Sequence, residues 1–329
     1  MVLSLALVLA LATAAVAVAA PGGIGPPEPQ TDSGEAISGL YWVVFTICAI
    51  VFVAVESALV LFVIRFRRRR GTPEDAEGPQ IHGNTRLEII WTIVPAVILV
   101  GIAVFTLSRI PAVEAKSSDE LVVRVEAHQF YWQYVYPNGA IALDKLVLPV
   151  DQTVALELTT KDVNHSWWVP PLTGKMDAIA GQTNVLRFRP EHTGTWEGQC
   201  AELCGIQHAV MYTEVTVVEQ AEFDSWLDEQ AAIAGKELGQ QVWEAVCAKC
   251  HGLEGEGDIG PPISGNGTLT NRMGLIRLLS MTGQDTPQLA SYMPKVGVGW
   301  TGKEFDALIA YVKATPALSE THEGAQSGG

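Results

Sequence analysis

Cysteine, histidine and basic side chains are all scarce in this chain, and each scarcity removes a class of protein. Five cysteines in 329 residues are too few for a disulfide scaffold. Lys and Arg number 21 against 36 Asp and Glu, a formal net charge of −15. Nucleic-acid binding wants the opposite sign. Acidity of this size serves either the solubility of an exposed domain or the attraction of a basic protein partner. Apolar side chains, by contrast, are abundant at 48%, which directs attention to membrane spans, and 329 residues leave room for two compact domains besides.

Residues 2–20 are almost wholly apolar and end in Ala17-Val18-Ala19-Ala20 before Pro21. Their length and small-residue end predict a signal peptide over 1–20, although no Lys or Arg supplies the usual basic start. Apolar runs at 40–64 and 87–108 are each near the ~20 residues that cross a bilayer as a helix. Between them lies Arg65-Phe66-Arg67-Arg68-Arg69-Arg70, which the positive-inside rule assigns to the cytoplasm. Everything after Ile110 is then expected on the outer face. Glu56 and Glu88 are costly at membrane depth and should face protein or water. Pro95 in the second run is tolerable where neighbours satisfy the freed carbonyl.

Residues 118–218 alternate apolar and polar positions in short runs. Candidate strands are Leu121–Val125, Phe130–Tyr136, Leu143–Val150, Val154–Thr159, Val185–Phe188, Thr195–Gly198 and Tyr212–Val218. That spacing predicts an all-β antiparallel sandwich or barrel. Residues 219–240, acidic and alanine-rich, read as a helical linker. Residues 241–315 read as a small all-α unit closing on an amphipathic helix near Lys303–Val312, and 316–329 as a disordered tail.

Chemistry concentrates in Cys200-Ala201-Glu202-Leu203-Cys204-Gly205-Ile206-Gln207-His208-Ala209-Val210-Met211. Two thiolates, an imidazole and a thioether together select copper or zinc over hard cations. Zinc would want a closed tetrahedral set, usually without methionine, so the methionine points to a copper electron-transfer site. Two cysteines at this spacing can bridge a pair of metals. A second histidine must come from elsewhere. His165, expected on a loop at the end of the sandwich, is the candidate, with His128 and His192 as rivals.

This segment resembles the dinuclear copper (CuA) loop of cytochrome c oxidase subunit II, Cys-x-Glu-x-Cys-x-x-x-His-x-x-Met. The likeness runs from about residue 40 to 218 and implies two membrane helices followed by a cupredoxin-like Greek-key domain. It implies copper ligation by His165, Cys200, Cys204, His208, Met211 and the carbonyl of Glu202, whose carboxylate would also reach a magnesium at the subunit I interface. Glu88-Ile89-Ile90-Trp91-Thr92-Ile93-Val94-Pro95 is similar to the family's second-helix motif, whose glutamate marks the entrance of a proton channel. The run Phe130-Tyr131-Trp132 resembles the aromatic strip where electrons come in, with Phe130 standing where the family usually has tryptophan. That departure disfavours docking of a separate soluble cytochrome c in the usual manner.

Cys247-Ala248-Lys249-Cys250-His251 is a complete haem c attachment sequence, with His251 the proximal ligand. The sixth ligand should be a methionine. Met293 is chosen for its irregular loop and its likeness to the Met-Pro of class I cytochromes c; Met281 is the runner-up, and Met273 reads as helix packing. Gly260-Pro261 resembles the turn whose Pro261 carbonyl orients the proximal imidazole. Trp243 and Tyr311 read as core or pocket residues.

The resemblance implies the electron-input subunit of a proton-translocating oxidase in a bacterial plasma membrane. Its two C-terminal domains would lie on the outer face, with subunits I and III as partners. Reduced cytochrome c or a bc-type complex would be the donor. A nitrous oxide reductase would need a histidine-rich second cluster that seven histidines cannot furnish. The copper-bearing subunit of a nitric oxide reductase, and a membrane-anchored electron carrier or copper-delivery protein without an oxidase core, are the alternatives.

Overall fold

The computed structural model describes residues 23, 25–67, 71, 80, 83–113, 116–233, 235–280 and 293–320. The expected signal peptide, Arg68 to Arg70, Met281 and residues 321–329 lie outside them. The chain divides into two units, residues 1–27 with 35–115 and residues 28–34 with 116–329.

The first unit holds two helices, α1 (Asp32–Phe66) and α2 (Thr85–Val113). At 35 and 29 residues they extend about 52 and 44 Å at 1.5 Å per residue, against a hydrocarbon core of about 30 Å. Ile50, Phe52, Val53, Ile89, Ile90, Val97 and Leu99 all stand exposed, the all-round apolarity of a helix made for lipid. Both helices begin before the apolar runs at 40–64 and 87–108 because polar side chains cap them. The Gly34 amide donates to Thr31 Oγ1 over 2.9 Å. The Leu87 amide donates to Asn84 Oδ1 over 3.2 Å, and Glu88 Oε1 accepts from the Asn84 amide over 3.3 Å. Glu88 thus closes its own helix start.

In the second unit, ten strands form two five-stranded sheets, ordered β3-β2-β1-β5-β8 and β4-β10-β9-β6-β7. They are β1 (Leu121–His128), β2 (Tyr131–Val135), β3 (Ile141–Leu143), β4 (Lys145–Pro149), β5 (Val154–Thr160), β6 (His165–Trp168), β7 (Met176–Ala178), β8 (Asn184–Phe188), β9 (Gly194–Cys200) and β10 (Tyr212–Val218). Val123, Val125, Leu146, Leu148, Leu156, Leu158, Val215 and Val217, two apart along their strands, fill the core between the sheets. A buried polar chain crosses it: Trp167 Nε1 donates to Tyr134 Oη over 2.9 Å, and that hydroxyl lies 2.5 Å from Thr213 Oγ1.

Three expectations need correction. The sandwich is mixed rather than antiparallel, because β1 runs parallel to β5 and β4 parallel to β10; long connections rather than hairpins join those pairs. His165 opens β6 rather than lying on a loop; four residues ahead of Pro170-Pro171 are too few to show as a periodic run. Residues 219–240 are no free linker. Helix α3 (Gln220–Ala232) buries Phe223 and packs Trp226 and Leu227 against the sandwich, an i, i+3, i+4 stripe on an otherwise acidic helix. From Lys236 onward the chain already belongs to the helical core.

That core is built from α4 (Lys236–Val242), a π turn over Trp243–Cys247, α5 (Ala248–His251), α6 (Arg272–Leu279), α7 (Gly302–Ala314) and α8 (Pro316–Ser319). Residues 316–319, expected within a disordered tail, form α8, which inserts the buried Leu318 into this core. Helix α4 crosses α7 at Gly239, where an added Cβ would lie 2.0 Å from the Ala307 carbonyl oxygen and 2.6 Å from Tyr311 Cβ. No side chain fits there. Gly239→Ala should force the helices apart at a cost of about 1–3 kcal/mol or more. Thermal unfolding of the haem-loaded chain, followed by Soret absorbance, should show a lowered midpoint for this transition.

Candidate copper and haem sites

The copper candidates gather where three strands end. In the register of β6 and β9, Trp167 pairs with Cys200, and the Ala201 amide donates to the Ser166 carbonyl over 2.8 Å. The Cys200 amide donates to the Met211 carbonyl over 2.9 Å, so both ends of the loop are clamped to the sheet. Two residues before Trp167, His165 points to the same buried side. Within the loop, His208 opens a 3-10 turn over His208–Val210. Gly205, at φ +137°, lets Gln129 and Phe130 approach; a Cβ there would lie 2.8 Å from Gln129 Nε2.

The donor atoms converge. Cys200 Sγ lies 3.8 Å from Cys204 Sγ, 3.8 Å from His165 Nδ1 and 3.2 Å from the Glu202 carbonyl oxygen. Cys204 Sγ lies 3.6 Å from His208 Nδ1 and 3.8 Å from Met211 Sδ. One imidazole and one weaker donor thus flank each sulfur, a soft donor set that would suit copper. Cys200, Cys204 and Met211 are buried, and the Glu202 side chain is exposed. The hydrogen bond from Cys204 holds the Cys200 thiol down to about 3, and the same bond pushes Cys204 up. Metal binding at such a pair displaces the protons that its thiols carry.

Asp162 completes the arrangement, and sequence reasoning did not select it. Its Oδ1 lies 2.8 Å from His165 Nε2, so the neutral ring donates there and leaves Nδ1 free toward the sulfurs. Burial works against charge on His165, but hydrogen bonds to Asp162 and Cys200 outweigh it and raise its pKa. Burial likewise resists charge on Asp162, and the His165 bond outweighs it, lowering the carboxyl. Asp162 Oδ2 also accepts the Gln129 amide over 2.7 Å. An acid three residues before a candidate ligand histidine was the available signal. Of the rival histidines, His192 is exposed. His128 stacks on Tyr131 with centroids 4.7 Å apart, and burial lowers its pKa to about 4.

The helical core carries an apolar cavity whose wall includes Cys247, Cys250, His251, Met293, Leu275 and Leu308. This donor set suits a covalently held haem: two thiols, an imidazole beside them and a thioether in the same wall. His251 Nδ1 lies 2.7 Å from the Pro261 carbonyl oxygen, which fixes the ring and turns Nε2 to the cavity. Trp243 is buried and donates to the Leu253 carbonyl over 2.8 Å, and Tyr311 packs against it with centroids 6.4 Å apart. Met273 is exposed on α6. Phe130, Tyr131 and Trp132 are all buried, so none forms an open landing strip. Phe130 lines the haem cavity, and Tyr131 packs into the helical core.

Two lipid-suited helices, a cupredoxin-like sandwich with a two-thiolate donor cluster and a haem-binding helical core define a membrane-anchored electron-transfer protein. Family models agree segment by segment: cytochrome c oxidase subunit II transmembrane domain over 19–108, its periplasmic domain over 141–221, and cytochrome c over 236–316. The cytochrome c oxidase subunit 2 of Alkalihalophilus pseudofirmus is 35% identical over 233 residues, covering 67% of this chain and 68% of that protein. The Bacillus subtilis and Thermostichus vulcanus proteins of the same name are 34% and 30% identical, covering 68% and 63% of this chain and 69% and 79% of theirs. Among solved structures, the periplasmic domain of the Bradyrhizobium japonicum oxidase subunit II is 31% identical and covers 36% of this chain and 96% of that one, at a TM-score of 0.34. The chain belongs to the cytochrome c oxidase subunit II family and carries a fused C-terminal cytochrome c domain. It is thus a membrane-anchored component of a haem-copper oxidase, for which the family implies copper and the added domain implies haem.

If Asp162 sets the His165 tautomer, Asp162→Asn should weaken copper binding by about 10–100-fold. Competition against a chromophoric copper chelator would read this directly.

Proposed function

We propose that this chain takes electrons into its fused haem, passes them within the chain to a dinuclear copper centre and delivers them to subunit I, where oxygen is reduced to water with proton translocation. The observation that carries this reading is the approach of the two donor sets: Gln207, placed between Cys204 and His208, has its Nε2 3.8 Å from Cys250 Sγ. The residues that would hold copper are His165, Cys200, Cys204, His208, Met211 and the Glu202 carbonyl. Those that would hold haem are Cys247, Cys250, His251 and Met293. Bound there, the two groups would supply one-electron carriers.

The chain's own contribution is rigidity and insulation. The strand-end clamps at Cys200 and Ala201 fix the sulfurs, and Asp162 and Pro261 hold the two inner imidazoles, so little need reorganise when charge arrives. Burial of Cys200, Cys204 and Met211 keeps water away. Phe130 and Tyr131 of the covered strip face the fused module instead of a separate cytochrome c, which raises the local concentration of donor without a second binding event. Reduced cytochrome c or a bc-type complex would then meet the haem module.

Several finer assignments rest on family likeness together with position. The exposed Glu202 carboxylate is free to reach a magnesium at the subunit I interface. Glu88, at the start of α2 after the basic connector, suits a proton-channel entrance. That basic connector at 65–70 supports a cytoplasmic link, with both folded domains on the outer face of a bacterial plasma membrane. Subunit III is the further expected partner.

Electron paramagnetic resonance of the oxidised, copper- and haem-loaded chain tests the reading. Hyperfine structure from one electron shared equally by two copper nuclei is expected. A single-copper spectrum would reject the dinuclear centre and the relay with it.

A further inference from the structure

The haem-attachment sequence carries a residue that its chemistry does not require. Lys249 lies between the two haem cysteines, yet its ammonium turns to the sandwich: Nζ donates to Asp144 Oδ2 over 2.5 Å and to the Phe130 carbonyl over 2.9 Å. Asp144 is itself a junction. It sits between β3 and β4 at φ 57°, a left-handed conformation that aspartate tolerates better than most residues. Its Oδ1 accepts the Trp132 amide over 2.8 Å, and its carbonyl accepts the Glu214 amide over 2.8 Å and Thr213 Oγ1 over 3.1 Å. The carboxylate is therefore held in place by β2 and β10 before the lysine reaches it. Some 105 residues separate the partners, so only docking of the modules brings them together.

Around this pair the contact is partly apolar, since Tyr131, Ile141 and Leu143 of the sandwich share a buried cluster with the helical core, and partly polar. Trp300 Nε1 donates to Tyr131 Oη over 2.6 Å, and that hydroxyl donates to the Val296 carbonyl over 3.0 Å. Gln207 reaches Cys250 on the copper side. None of these supplies a paired charge, whereas separating Lys249 from Asp144 would strand two partly buried charges. We propose that the Lys249–Asp144 ion pair is an in-chain latch that docks the haem module on the copper module and fixes the spacing of their donor sets. Lys249 is thus a positioning residue for electron transfer. This rests on the relay reading for its purpose, but the latch itself is a statement about docking.

Hydroxyl-radical footprinting of the full, metal- and haem-loaded chain tests it, with Lys249→Met and Lys249→Arg beside the unaltered protein. Tyr131 and Trp300 report the module contact; Tyr134 and Trp167 report the sandwich core. Lys249→Met should raise oxidation of Tyr131 and Trp300 together by about tenfold, as expected when a buried charge loses its partner. Tyr134 and Trp167 should stay protected, and Lys249→Arg, which keeps the charge, should retain most of the protection. Unchanged protection of Tyr131 and Trp300 in Lys249→Met overturns the latch. So does simultaneous exposure of Tyr134 and Trp167, which would make the pair an element of the sandwich fold instead. The copper resonance spectrum of the same samples reports the relay reading independently: a normal latch footprint with a single-copper spectrum would reject the relay and leave the latch standing.

Discussion

Two buried sulfur atoms held 3.8 Å apart are the constraint on which the site depends. Sulfurs at that separation repel when both are ionised. The sandwich makes the approach possible. Its ladder ties Cys200 to Met211, its β6 neighbour ties Ala201 to Ser166, and the register of Trp167 with Cys200 brings His165 alongside. Every candidate ligand is therefore referred to one sheet, and a shift of one residue in β6 would turn His165 away from the cluster.

The same economy extends to the second module. Helix α3 does not merely span a gap; it is folded onto the sandwich through Phe223 and Trp226, and Gln230 donates to the Ile141 carbonyl over 2.5 Å. The haem-binding core then meets the face of the sandwich bearing Phe130 and Tyr131. A surface that resembles a landing strip in the family is thus internal in this chain, and the replacement of tryptophan by Phe130 occurs where the partner has become permanent.

Much of this was legible in the sequence, for identifiable reasons. The copper loop and the haem attachment site are contiguous motifs whose donor types restrict the chemistry by themselves, and strands β1, β2, β5, β8 and β10 show as alternating runs. His165 was the selected histidine, but its strand was not foreseen, because His165–Trp168 is only four residues long. Asp162 escaped notice because its role depends on where its carboxylate points, not on its spacing. The contacts of Lys249 with Asp144 and of Trp300 with Tyr131 span 105 and 169 residues, and no local pattern announces a pairing at such range. The linker and tail boundaries slipped for a related reason: a few buried side chains, Leu238 and Leu318 among them, decide membership of a core that composition alone makes look polar.

Electron delivery inside one chain, between donor sets brought together by the fold, is the step most open to direct measurement. Pulse radiolysis of the intact oxidised protein, watched at the haem and copper absorption bands, tests it most directly. Rapid reduction of the haem is expected, followed by its reoxidation as the copper band bleaches, at a rate independent of protein concentration. A second phase whose rate rises in proportion to concentration, or a haem that stays reduced while copper remains oxidised, would contradict it.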